Sequence, residues 1–189
     1  LNFNGVGTAS DGLGGTDTLI DIEAVRGSAF GDVLTGSNTA WAHPIVFRRI
    51  EAAKAANPNL RIIVIDPRKI ELVPYAKHHL QLRPGTNVAL LNMFARCILD
   101  AGLVKTEFVR KRCENWEEFE NGLKALDLDE LAKITGVDTA LVRAAAIEYA
   151  SAEAAMSFHG LGVTEHEQGA KTVMLISNIA MMTGNIGRP

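Results

Sequence analysis

The sequence predicts an α/β fold built on a parallel sheet, and three observations predict it. The run Arg61-Ile-Ile-Val-Ile65 is compact, β-branched and apolar enough to be buried on both faces, as the strands of parallel sheets are. Stretches rich in strong helix formers alternate with such strand-like runs from residue 38 onward. Proline and glycine mark the boundaries between them, at Asn57-Pro58-Asn59, Asp66-Pro67 and Pro84-Gly85-Thr86. With right-handed crossovers, a layered α/β architecture is the economical arrangement.

The elements follow in order. Residues 43–56 form a helix, with Pro44 in its first turn and Phe47-Arg-Arg-Ile-Glu-Ala-Ala-Lys-Ala-Ala56 continuing it. Residues 61–65 are the buried strand, closed by Asp66-Pro67. Residues 79–83, His-Leu-Gln-Leu-Arg, alternate as a second strand and turn at Pro84-Gly85 into a helix over 87–101 that Gly102 stops. Shorter helices are expected at 106–112, 116–125 and 129–134, and a stronger one at 138–151 with Asp138 as N-cap. Residues 155–160 read as another strand, followed by a loop and a helix ending at Gly184.

At 189 residues and 47% hydrophobic, the chain can form one domain, or one domain and a small appendage. A net charge of −3 gives no electrostatic reason to expect nucleic acid or an anionic membrane as partner. The apolar stretches 173–176 and 179–182 are interrupted by Ser177 and Asn178 and fall short of the roughly 20 residues that span a bilayer, so no membrane segment is expected. Cys97 and Cys113 belong to no Cys-x-x-Cys pair and read as core thiols.

Composition changes near residues 36–38. Residues 1–37 hold 8 of the 17 glycines and five acids (Asp11, Asp17, Asp21, Glu23, Asp32) against Arg26 alone, while residues 38–189 carry 18 bases and 17 acids. The chain therefore reads as two segments of different origin, a Gly/Asp-rich segment over 1–37 and an α/β region over 38–189. The first resembles the calcium-binding glycine/aspartate repeats of secreted bacterial toxins and proteases, in which carboxylates and turn carbonyls hold Ca²⁺. Such repeats must stack, and about three are needed. Residues 11–36 contain fewer, which favours a flexible lead-in with no bound Ca²⁺.

In an open parallel sheet, ligands bind where strands end and loops lead into helices. Three loops stand at such places. Thr35-Gly-Ser-Asn-Thr39 offers small residues and hydrogen-bond donors to a phosphate. Ile65-Asp66-Pro67-Arg68 puts an acid just after a buried strand, where a nucleotide's ribose or base is gripped. Leu82-Arg-Pro-Gly-Thr-Asn87 runs from a strand end into a helix N-terminus. Each also fits an ordinary turn; their succession points to a ligand. No Gly-x-Gly-x-x-Gly fingerprint precedes Asp66, which disfavours an ordinary NAD site.

Five stretches taken together carry a more specific resemblance. Gly36-Ser-Asn-Thr-Ala-Trp-Ala-His-Pro44, Ile65-Asp-Pro-Arg-Lys-Ile-Glu71, Leu80-Gln-Leu-Arg-Pro-Gly-Thr-Asn-Val-Ala-Leu-Leu-Asn92, Gly160-Leu-Gly-Val-Thr-Glu-His-Glu-Gln-Gly169 and Met182-Thr-Gly-Asn-Ile-Gly-Arg-Pro189 resemble, in order and spacing, the prokaryotic molybdopterin oxidoreductase family over residues 36–189. The resemblance implies the parallel-sheet, Rossmann-like layers of that family, incomplete in this chain. It implies a molybdenum or tungsten ion held by two molybdopterin guanine dinucleotides. Gly36, Ser37 and Asn38 would lie near a dinucleotide phosphate, and Asp66 and Arg68 near its guanosine. Pro84, Gly85 and Asn87 would lie near the guanine end, and Gly160, Gly162 and Thr164 near the pterin or pyrophosphate. Asn87 and Glu165 stand where the family often has Asp and Gln.

The last two stretches resemble formate dehydrogenase catalytic subunits, whereas Ala40-Trp-Ala-His-Pro44 resembles assimilatory nitrate reductases; the longer C-terminal agreement favours formate. The resemblance further implies a cytoplasmic parent that passes electrons to iron–sulfur clusters and electron-transfer subunits. It places the metal-bound selenocysteine or cysteine, its neighbouring His and a following Arg outside this chain, so no catalytic residue or metal ligand is expected within it. His159 and His166 read as a strand-end and a loop histidine. The alternatives are a secreted calcium-binding module with an α/β passenger, and a generic nucleotide-binding α/β domain.

Overall fold

The computed structural model describes residues 6–10, 16–20 and 31–187, with side chains from residue 33 onward. Strands β1 (Val6–Ser10) and β2 (Thr16–Ile20) pair antiparallel as a two-stranded sheet, from Val6 opposite Ile20 to Ser10 opposite Thr16. Two paired strands thus stand within the segment whose composition suggested a flexible lead-in. The acidic side chains on which the calcium reading rests lie outside the described residues, as does most of the backbone that would surround the ion.

The second sheet is parallel throughout, with strand order β5-β4-β3-β6. Strand β3 (Gly31–Thr35) leads through helices α1 (Thr39–Ala42) and α2 (Pro44–Ala56) to β4 (Arg61–Ile65). An irregular stretch with one 3-10 turn, Val73–Tyr75, then reaches β5 (His78–Leu80). Five helices follow: α3 (Asn87–Asp100), α4 (Thr106–Arg112), α5 (Trp116–Lys124), α6 (Leu128–Thr135) and α7 (Thr139–Ala150). The chain then returns as β6 (Met156–His159) on the far side of β3, and continues into α8 (Leu161–Thr164) and α9 (Gly169–Met182).

Strand β3 is a correction to the two-segment reading. It lies within residues 1–37, yet it pairs with β4 on one side and β6 on the other, at the centre of the α/β unit. The composition changes at a loop; the sheet begins before it. Gly31-Asp-Val-Leu-Thr35 has only two large apolar residues, and these become strand because both are buried, Val33 on one face and Leu34 on the other.

Strand β4 shows why a continuous apolar run was needed. With a two-residue period, Ile63 and Ile65 enter the core formed with α3, α7 and α9, while Ile62 and Val64 enter a second core with Ile50 of α2, Leu60, Ile70 and Leu72. All four side chains are fully buried, so the sheet is covered on both faces. Helix α3 is the main inner helix, packing against α7, α6 and α9. It carries Leu90, Met93, Phe94 and Cys97 into the core, so Cys97 is a core thiol as expected, and burial pushes that thiol up. Cys113, just past α4, is half-buried.

Strand β5 is shorter than the alternation of 79–83 suggested. The Leu82 N–H donates to the Leu80 carbonyl and the Arg83 N–H to Thr135 at the end of α6, so the chain leaves the sheet at Gln81. Helices α6 and α7 start at side-chain caps: Asp127 accepts from the Asp129 and Glu130 amides, and Asp138 from those of Ala140 and Leu141.

At the amino ends of the strands, Glu148 of α7 ties helix to sheet. Lys77 donates to its carboxylate at 2.5 Å, Arg61 pairs with its other oxygen, and His78 Nε2 lies 3.8 Å away. Burial pushes the Glu148 carboxyl up, but Lys77 and Arg61 outweigh it and hold it below its ordinary 4.5. Burial holds the His78 imidazole below 6.5. Both folded values are depressed, so both groups contribute stability at higher pH that is lost as pH falls through the folded values. Urea unfolding between pH 4 and 8 should show stability level above about pH 7, declining below 6.5 through His78 and further below 4.5 through Glu148. Glu148→Gln should lower stability at pH 7 by about 1–2 kcal/mol, since its partners are half-exposed, and flatten the acid branch. An unchanged branch would show that other carboxylates set it.

A candidate nucleotide-binding cleft at the strand ends

The order of the strands locates the site. From β3 the chain steps outward through β4 to β5, then crosses back to place β6 on the opposite side of β3. Beyond β3 the chain runs to α2 on one face of the sheet and beyond β6 to α9 on the other, and a crevice opens at the carboxyl ends of the two strands. A cleft of about 760 Å³ lies there, a size common for small-molecule and cofactor sites. Gly36, Ser37, Asn38, Asp66, Arg68, Pro84, Gly85, Asn87, Gly160, Gly162 and Thr164 all line it, so residues spread over 129 sequence positions share one rim.

The loops after β3 and β6 meet backbone to backbone. Gly36 has φ +56°, and its N–H donates to the Ile65 carbonyl at 2.9 Å. The Gly162 N–H donates to the Gly36 carbonyl at 3.0 Å, and that of Gly160 to Thr35 at 3.3 Å. A Cβ on Gly36 would lie 2.7 Å from the Gly162 carbonyl carbon, and a Cβ on Gly162 would lie 2.7 Å from the Gly36 oxygen. Neither position has room for a side chain. Ser37 is buried, with its hydroxyl 3.3 Å from that of Thr39. Asn38 Oδ1 is shut off from water with no hydrogen-bond partner in the protein, a cost that a ligand could relieve.

The loops after β4 and β5 form the other half. Asp66 is buried at 3% exposure; its carboxylate accepts the Arg68 N–H at 2.8 Å and faces Arg68 Nε at 3.6 Å. The Asp66 carbonyl lies 2.9 Å from His79 Nε2. Beyond β5, the Thr86 hydroxyl donates to the Arg83 carbonyl at 2.7 Å instead of capping α3. The first-turn amides of α3 therefore lack a side-chain acceptor at the rim where Asn87 enters the cleft. The Arg83 guanidinium turns the other way, onto the Lys133 and Ile134 carbonyls, and fixes the loop to the end of α6.

Three histidines were not among the expected site residues. His43, His159 and His166 line the same cleft. The available signal was position: two flank the Gly160–Thr164 motif and the third stands in the Ala-His-Pro stretch. A second cavity of about 700 Å³, between Leu99, Arg110, Trp116 and Glu120, lies among α3, α4 and α5. Among the described residues no cluster of His, Cys, Asp and Glu has the makings of a metal site, and no helix is long and apolar enough to cross a membrane.

A switch-point cleft at the carboxyl ends of a parallel sheet, with glycine loops on one side and a buried acid beside an arginine on the other, is the place where open α/β units take their ligands. The chain belongs to the molybdopterin oxidoreductase family, whose model matches residues 32–189. That match begins in β3, not at the composition change. The chain is 40% identical over 154 residues to formate dehydrogenase H of Escherichia coli, covering 82% of this chain and 21% of that protein. It is 37% identical over 185 residues to F420-dependent formate dehydrogenase 1 subunit alpha of Methanococcus maripaludis, covering 98% of this chain and 27% of that protein. The second likeness reaches well into residues 1–37. Formate dehydrogenases among the relatives are 37–40% identical, and nitrate reductases 28–32%. Acetylene hydratase from Pelobacter acetylenicus shares the fold with a TM-score of 0.77 at 25% identity, over 83% of this chain and 22% of that one. The chain thus spans roughly a fifth to a quarter of the length of the proteins it matches. Membership of the family implies a molybdenum or tungsten pterin cofactor.

Proposed function

We propose that the cleft holds the guanine dinucleotide arm of that cofactor, and that the chain is part of a formate dehydrogenase. The observation that carries the reading is the mutual contact of Gly36 and Gly162, a cradle of bare backbone beside the unpartnered Asn38 oxygen. Phosphates need close approach to the backbone, and a side chain at either glycine would push the two loops apart and spoil the surface that meets them. The carboxylate of Asp66 suits the hydroxyl and N–H donors of a guanosine, and Arg68 suits its acceptors. The residues present therefore fit the group, with Gly36–Asn38 and Gly160–Thr164 on the pyrophosphate side and 66–68 and 84–87 on the nucleoside side.

When bound, the metal-pterin centre would accept the two electrons released as formate becomes CO₂ and a proton. The part of this chain is to orient the arm, exclude water around it and keep the nucleoside fixed. Formate is favoured over nitrate by the higher identity to formate dehydrogenases. Two copies of the dinucleotide, iron–sulfur clusters, electron-accepting subunits and a cytoplasmic setting complete the proposal. Calorimetry of the chain with GDP and with ADP tests the site: GDP should bind more tightly, and Asp66→Ala should weaken GDP by about 10- to 100-fold, the worth of hydrogen bonds to a charged acceptor. Equal affinity for the two nucleotides would sink the guanine reading.

A further inference from the structure

The turn after β4 is held from the neighbouring strand by two side chains. His79 of β5 sets Nε2 2.9 Å from the carbonyl oxygen of Asp66, and Gln81, two residues on, donates its Nε2 to the carbonyl oxygen of Pro67 at 2.9 Å. The β4–β5 ladder does not supply these bonds, since β5 has already ended at Leu80 opposite Ile65. Two consecutive carbonyls of one turn are thus fixed from outside it, the first by a ring N–H that only the Nε2-protonated tautomer or the imidazolium provides. The same turn presents the buried Asp66 carboxylate and the Arg68 guanidinium to the cleft. A carboxylate that also accepts its own turn's N–H keeps its direction only while that turn keeps its shape.

We infer that His79 and Gln81 are positioning residues for the nucleoside end of the cleft: their clamp on the Asp66 and Pro67 carbonyls sets how well the site holds a nucleoside, without bearing on how it holds the phosphates. The inference rests on the nucleotide-arm reading above. The phosphate side would belong to the loops after β3 and β6, whereas His79 and Gln81 bond to the turn after β4, so the two halves of the ligand report on the two halves of the site.

The test is titration calorimetry of the 189-residue chain with GDP and, separately, with inorganic pyrophosphate, alongside the melting temperature of each variant. The double variant His79→Leu, Gln81→Leu should bind GDP about tenfold more weakly, the combined effect of two lost hydrogen bonds, with pyrophosphate affinity unchanged. His79→Gln, whose amide nitrogen can stand where Nε2 does, should keep GDP affinity close to that of the parent while His79→Leu does not. Equal GDP affinity in the parent and the double variant would overturn the inference. So would a parallel loss of GDP and pyrophosphate binding, which would mark general loosening of the sheet edge. A parent chain that held GDP no more tightly than pyrophosphate would remove the nucleotide-arm reading itself, and this inference with it.

Discussion

Gly36→Ala is expected to destabilise the chain by about 2–4 kcal/mol, and Gly85→Ala by only about 1 kcal/mol. Both glycines line the cleft and both have positive φ, +56° and +84°. They differ in the space around them. A methyl on Gly85 meets nothing within 4 Å, so its cost is the left-handed backbone alone. A methyl on Gly36 meets the Gly162 carbonyl carbon at 2.7 Å and the Val163 nitrogen at 3.0 Å, backbone atoms that move only if the loop after β6 moves. Gly162→Ala isolates the second effect, because Gly162 has no positive φ and its cost is the 2.7 Å approach to the Gly36 oxygen. Urea midpoints for the three variants check the account; equal losses at Gly36 and Gly85 would remove the close approach from it.

Phe94→Ala should cost about 3–5 kcal/mol, the usual range for deleting a buried aromatic ring. Phe94 is 1% exposed on α3 and meets Tyr149 of α7 edge to face, with ring centres 6.0 Å apart. Around it a small void already lies between Val33, Thr35, Ile65 and Ser157 of the sheet and Ile176 and Ile179 of α9. Thr35 and Ile65 are the last residues of β3 and β4, immediately before the glycine loop and the Asp66 turn. The enlarged cavity would thus open directly beneath the cleft. Met174→Ala, on the same layer but 66% exposed, should stay within about 0.5 kcal/mol. Comparable losses for the two would mean that α9 and α3 do not pack as described.

Much of the fold was legible because several elements carry their own local signals. Pro44 starts α2, Asp138 caps α7, Gly102 follows α3, and the four β-branched side chains of 62–65 need two buried faces. Strand β3 carried no such signal: Gly31-Asp-Val-Leu-Thr35 is a strand because neighbours on both sides complete its ladder, and a glycine-rich surrounding disguised it. Helices α1 and α8 are four residues each, too short for a periodic pattern to register. The site divides similarly. Its loops could be read as strand ends and their motifs in family order, whereas the clustering of His43, His159 and His166 depends on strand order, which no local pattern encodes.

The lining of the cleft has a bearing on how a ligand would be retained. Among its described residues Arg68 is the one permanent cation, and it already faces the Asp66 carboxylate. What remains for an anion is a set of peptide dipoles, hydroxyls and an uncapped helix start. Such groups act through direction and close approach, and mobile ions screen them far less than they screen exposed ammonium groups. A site of this kind would discriminate by shape: it would offer little to an arbitrary polyanion drifting past, and would reward one whose charged groups arrive in the place and orientation that the backbone dipoles favour.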